Sequence, residues 1–170
     1  HRPAGRSTAW PGRRADRRCY PPRVQPFTFA TPVRFADVDH AGIVYYPRFF
    51  HLCHAAMEDF FDDAAPFSYP DMINKKRLGF PSVRIDADFS APLMYGDVVI
   101  VTLAIVHIGT TSVRTRYEIR RKRDAVFCFK AEITTVMMDL DAKKAVPIGD
   151  ELRRVFASYL TTGDVEHKPG

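Results

Sequence analysis

Apolar positions recur with a period of two at Phe27, Phe29, Thr31, Val33 and Phe35, which is the repeat of a strand that buries one face. The period returns at Val83, Ile85, Ala87, Phe89 and Ala91, interleaved with Arg84, Asp86, Asp88 and Ser90, so one face of this second strand should pack and the other meet solvent. Three further strand-sized runs, 98–107, 111–121 and 125–138, are separated by short turns and read as a meander. Between the first two strands the period changes. Phe49, Phe50, Cys53, Ala56, Met57, Phe60, Phe61 and Ala64 fall at helical spacing, with Glu58, Asp59, Asp62 and Asp63 opposite, which predicts an amphipathic helix from 47 to about 65. Residues 66–79 carry two prolines and read as an irregular connection or short helical turn. Residues 149–160 read as a second, shorter amphipathic helix capped by Asp150. One long helix and an antiparallel sheet able to cover it make an α+β layer architecture.

Composition narrows the picture. A chain of 170 residues with 46% hydrophobic and 26% charged content is one domain with a real core. The net charge of +5 suggests nucleic acid until it is located: residues 1–26 hold seven arginines and one acid, leaving about −1 for the rest. The folding part is therefore not basic, and no nucleic-acid partner is expected. The Arg- and Pro-rich stretch 1–25 has no hydrophobic period and is expected to be a disordered tail, with the domain over 26–162 and a flexible C-terminus over 163–170. Cys19, Cys53 and Cys128 have no C-x-x-C spacing, so neither a disulfide framework nor a zinc site is indicated and a reducing, cytoplasmic setting is expected. The apolar runs are too short for a membrane span.

The candidate chemistry lies in the stretch from 34 to 50, where the first strand gives way to the long helix. Asp37 and Asp39 sit at the end of the strand, and Gly42 allows the chain to fold back. Pro47 suits the first position of a helix, with Tyr46 preceding it as cap. The backbone N–H groups of Val44, Tyr45 and Tyr46 would then lie at a helix start, where unpaired donors and the helix dipole favour a developing oxyanion. Asp37 and Asp39 could equally make turn and capping hydrogen bonds only.

The string Asp37-x-Asp39-x-x-Gly42-x-Val44-Tyr45-Tyr46-Pro47 resembles the signature of the 4-hydroxybenzoyl-CoA thioesterase family of hotdog-fold enzymes. The resemblance runs from about 27 to 160 and extends to Phe89-x-x-Pro92, Tyr95-Gly96-Asp97, the turn at 108–112 and Val146-Pro147-Ile148. It implies a hotdog fold, a helix wrapped by a sheet, and hydrolysis of an acyl-CoA to free acid and coenzyme A with no metal or organic cofactor. It makes Asp39 the catalytic carboxylate, as nucleophile or general base, and Tyr46 an active-site position, with Asp37, Gly42 and Pro47 supporting the loop. The basic cluster that some members use for coenzyme A is absent at 109–111; Arg114, Arg116 and the run 120–123 are possible substitutes, and an exposed strand face explains them equally well. A homodimer or homotetramer is implied as well. Against these stand His40 as a rival base, Glu58 as a rival carboxylate, and His51 with His54 as metal ligands lacking a third partner. A hydratase, or an acyl-CoA-binding module without catalysis, is the alternative function.

Overall fold

The computed structural model describes residues 25–161, so the expected tail, but for its last residue, and the C-terminal segment 163–170 lie outside the described residues. The strands are β1 (Phe27–Pro32), β2 (Leu78–Gly79), β3 (Ser82–Phe89), β4 (Val98–Ile108), β5 (Ser112–Arg121), β6 (Phe127–Val136), β7 (Met138–Asp139) and β8 (Lys144–Ala145). The helices are α1 (Tyr46–Ala64), α2 (Tyr69–Asn74) and α3 (Asp150–Ser158). Five strands form one antiparallel sheet in the order β1-β4-β5-β6-β3, and β2, β7 and β8 form a small second sheet. The long helix α1 packs against β4 and β1 of the main sheet, the hotdog arrangement.

The meander β4-β5-β6 follows from the two short turns between its strands, which permit only adjacent antiparallel pairing. Val99, Val101, Leu103 and Ile105 of β4 are at most 1% exposed, because α1 packs on β4 and β1 while α3 packs on the far end of β4. Phe60 of α1 meets Phe156 of α3 with ring centroids 6.2 Å apart and Phe27 of β1 at 5.7 Å, tying the two helices to that side of the sheet.

Several boundaries move, each for a local reason. The first strand ends at Pro32, not at the Asp37 loop: the Arg34 N–H donates to Asp37 Oδ2 at 2.7 Å, the Asp37 N–H returns to Arg34 O at 3.0 Å, and 35–37 close as a single 3-10 turn with Phe35 77% exposed. Helix α1 is capped by Tyr45, which places Tyr46 at the first helical position and Pro47 at the second. Gly149, not Asp150, caps α3. The connection after α1 contains α2, whose cap Ser68 accepts from the Asp71 N–H at 3.2 Å.

The largest departure concerns β3. Its apolar face packs only in part within the chain: Val83 is 61% exposed, Ile85 47% and Phe89 51%, although the Phe89 ring meets Phe49, Phe50 and Phe129. The alternation is real, but α1 packs mainly on β4 and β1 and only partly covers this edge strand.

Candidate active site

The turn after the 3-10 segment is a tight hairpin. The Gly42 N–H donates to Asp39 O at 3.0 Å, the Asp39 N–H to Ile43 O at 2.9 Å, and Val38 bridges Val44. Gly42 stands at φ +78°, the left-handed conformation that closes such a loop and that a side chain would strain. Asp39 therefore projects from the tip of a fixed hairpin. Its Oδ1 accepts from the Ala41 N–H at 2.8 Å, which orients the carboxylate, while Oδ2 takes no hydrogen bond among the described residues.

Asp37 ties this hairpin to the helix. Its carbonyl accepts the Tyr45 N–H at 2.9 Å, and its carboxylate, besides closing the 3-10 turn, lies 3.8 Å from the Arg48 guanidinium in the first turn of α1. A second tie comes from the turn 92–97, where Leu93 O accepts the Val44 N–H at 2.8 Å and Met94 bridges Ile43. That turn is itself anchored by the buried Asp97, whose Oδ2 accepts from the Met94 N–H at 2.9 Å and whose Oδ1 meets Arg123 at 2.9 Å. A buried carboxylate satisfied on both oxygens is costly to lose.

These bonds narrow the expected oxyanion donors. The Val44 and Tyr45 N–H groups are already committed to Leu93 and Asp37, and Pro47 has no N–H to give. What remains is the Tyr46 N–H, which as the first helical residue has no intrahelical acceptor and donates to no other group among the described residues.

Asp39, Ile43, Val44, Tyr45, Tyr46 and Phe49 form one wall of a cleft of about 460 Å³, and the residues ending β3, Phe89 to Pro92, form the other. The cleft thus places a carboxylate with one free oxygen and a helix start with one free donor beside a lining that includes the rings of Tyr45, Tyr46, Phe49 and Phe89. Such a pairing can attack, or direct water at, a carbonyl carbon while holding the oxygen that becomes negative.

The sequence pattern of the thioesterase-like superfamily matches residues 33–156. The chain belongs to that superfamily. A 1,4-dihydroxy-2-naphthoyl-CoA hydrolase of Nostoc punctiforme is 29% identical over 126 residues, covering 74% of this chain and 83% of its own. Among solved structures, a 1,4-dihydroxy-2-naphthoyl-CoA thioesterase from Synechocystis superposes with a TM-score of 0.71 at 28% identity, covering 78% of this chain and 96% of that one. A gentisyl-coenzyme A thioesterase superposes with a TM-score of 0.68 at 25% identity, covering 74% and 98%. The protein is a thioester hydrolase of the hotdog fold.

The other candidates fall elsewhere. His40 is exposed and is not part of the cleft lining. Glu58 and His54 pair with each other at 3.0 Å away from the Asp39 cleft, and His54 also meets the Tyr69 ring. Among the described residues no group of three His, Cys, Asp or Glu could hold a metal. Cys53 is no nucleophile: burial pushes its thiol up to about 12. Arg114 and Arg116 alternate with the inward Val113, Thr115 and Tyr117, so they sit on the sheet face away from α1, and Arg116 is held by Glu132 at 2.8 Å. Within one chain the structure does not bring them to Asp39. The far wall of the cleft was not assigned to the site from the sequence, although the Phe89-x-x-Pro92 pattern marked it: a proline ending an aromatic strand signals a turn held close to something.

Proposed function

We propose that this protein hydrolyses the CoA thioester of an aromatic acid, with Asp39 as the catalytic carboxylate and the Tyr46 N–H as donor to the thioester oxygen. One observation carries the reading: the free Asp39 oxygen and the only uncommitted N–H of the helix start belong to one cleft, walled by Tyr45, Tyr46, Phe49 and Phe89. The naphthoyl thioester in the name of its Nostoc relative agrees with such walls.

As the tetrahedral intermediate forms, the carbonyl oxygen becomes an anion, and a backbone donor at that point is worth roughly 10²–10³ in rate. Asp39 acts by one of two balanced routes. As nucleophile its Oδ2 bonds to the acyl carbon and expels the coenzyme A thiolate, and water then cleaves the mixed anhydride. As general base it takes a proton from water, the hydroxide adds to the acyl carbon, and the proton passes to the departing thiolate. Both end in free acid and thiol.

The site is completed by assembly. β3 presents an unpaired backbone edge and an exposed apolar face and ends in the cleft wall, so pairing of two copies along β3, as a homodimer or within a homotetramer, would cover that face and the cleft together. Cys53 and Cys128 are free and buried, which suits a reducing cytoplasmic setting. Among the described residues no helix is long and apolar enough to cross a membrane. The deciding experiment is thiol release from naphthoyl-, benzoyl-, hexanoyl- and acetyl-CoA; turnover confined to the straight chains would overturn the aromatic reading.

A further inference from the structure

A second cavity, of about 220 Å³, lies further along the groove between α1 and the sheet, and Phe50, Cys53, Met57 and Ile85 are among its walls. Phe50, Cys53 and Met57 follow the i, i+3, i+7 spacing of one helix stripe, and Ile85 lies four residues before Phe89 on β3, about 13 Å along the strand. The cavity and the Asp39 cleft therefore lie in line, in the same groove. Between them stands a cluster of rings. Phe89 lines the Asp39 cleft and Phe50 lines the second cavity, and their ring centroids are 6.4 Å apart at near right angles. Phe129, fully buried beneath, holds both, at 5.0 Å from Phe89 and 5.6 Å from Phe50.

We propose that the Phe50–Phe89 ring contact is the acyl-length stop of the Asp39 cleft, admitting a compact ring and refusing an extended chain that would need the second cavity. The proposal rests on the acyl group entering the Asp39 cleft. Removing the Phe50 ring should join the two spaces, since neighbouring core groups relax only partly into a void. The joined groove would be mainly apolar, with Cys53, Met57, Ile85 and Ile133 along it and His54, Ser82 and Thr135 among its polar lining, and would offer a straight hydrocarbon an apolar wall.

The experiment compares kcat/KM for benzoyl-CoA and dodecanoyl-CoA in wild type, Phe50→Ala, Phe50→Leu and Phe89→Ala, with Phe67→Ala as a ring removed from another part of the core. In Phe50→Ala the dodecanoyl-to-benzoyl ratio should rise by about tenfold or more, with Phe50→Leu between it and wild type, as expected for apolar space opened by a few methylenes. Phe67→Ala should leave the ratio within about twofold of wild type. Phe89→Ala, at a half-exposed position, provides the same test if Phe50→Ala fails to fold. An unchanged ratio in the folded variants, or a wild type that already cleaves both substrates equally, would overturn the proposal. Asp39→Asn separates the two failures: if it abolishes turnover while the ratio never moves, the site stands and the stop falls; if it leaves turnover intact, the site reading falls and takes this proposal with it.

Discussion

Strands β3 and β4 both carry apolar residues at every second position, β3 with charged residues between them and β4 within a nearly continuous apolar run, and they meet opposite fates. In β4 the apolar positions are fully buried under α1 and α3, whereas in β3 Val83, Ile85 and Phe89 remain about half exposed. The residues are of the same kind, so the difference comes from the lateral seat of the helix, which packs on β1 and β4. An alternating pattern states which side of a strand is apolar; it does not state what covers that side. One half of the sheet is closed by the chain itself, the other half is left partly open, and the Asp39 cleft lies at the end of β3 on that open side.

The largest expected effect is in that cleft. Asp39→Asn keeps the shape of the side chain and the bond from Ala41 but removes the basic oxygen. In a thiol-release assay kcat should fall by at least about a hundredfold while KM changes little, because a positioned base or nucleophile contributes about 10²–10⁴ and acts only in the transition state. His40→Ala, outside the cleft, should cost less than about threefold. A folded Asp39→Asn enzyme retaining a tenth of wild-type kcat would move the chemistry elsewhere.

The next contrast sets the two halves against each other. Leu103→Ala opens a void in the closed half and should cost about 2–5 kcal/mol in urea unfolding. Ile85→Ala, in the open half, should cost less than about 1 kcal/mol in the isolated subunit, because half its surface is already wet there. Ile85→Lys should leave secondary structure intact and shift the mass in light scattering from dimer or tetramer to monomer, since a charge on the apolar face of an edge strand opposes pairing. Wild-type protein that is monomeric at micromolar concentration would remove the contrast altogether.

Much of this was legible in the residues. The periods of two and 3.6 locate the five main strands and the long helix, and the Asp37–Pro47 string locates the hairpin. Three things were not legible, for physical reasons. Phe35 fits a strand pattern, but a side-chain bond from Asp37 to the Arg34 N–H folds that stretch into a 3-10 turn instead. Val44 and Tyr45 look like helix-start donors, yet their N–H groups are consumed by Leu93 and Asp37, and the former is an acceptor almost fifty residues away that no local pattern marks. Arg114 and Arg116 carry the charge opposite to the phosphates they were matched with, and the alternation that puts them on the outer face is visible in the chain; what it leaves out is that Glu132 of the neighbouring strand holds Arg116. Local chemistry is read from neighbours in the chain, and these outcomes were decided by partners in space.

The smallest effect concerns the solvent side of α1, the helix that divides the two halves. Burial, then Asp63, Asp62 and Glu58, push the Asp59 carboxyl above its usual range. A carboxyl whose pKa is higher folded than unfolded binds its proton more tightly in the folded state. The folded state therefore gains stability as pH falls through that raised pKa, and at neutral pH the ionised Asp59 is a liability. Asp59→Asn removes repulsion with Asp62 at i+3 and Asp63 at i+4, which for exposed helix pairs amounts to about 0.2–0.5 kcal/mol. The melting temperature near neutral pH should rise by about 1–2 °C. The gain should shrink as the pH is lowered through the carboxylate range, because the wild-type residue then becomes neutral as well. Added salt should shrink it too, since exposed charges are screened over about 10 Å at 0.1 M. A gain that survived both acid and salt would owe nothing to charge and would have to come from helix propensity or packing on that outer face.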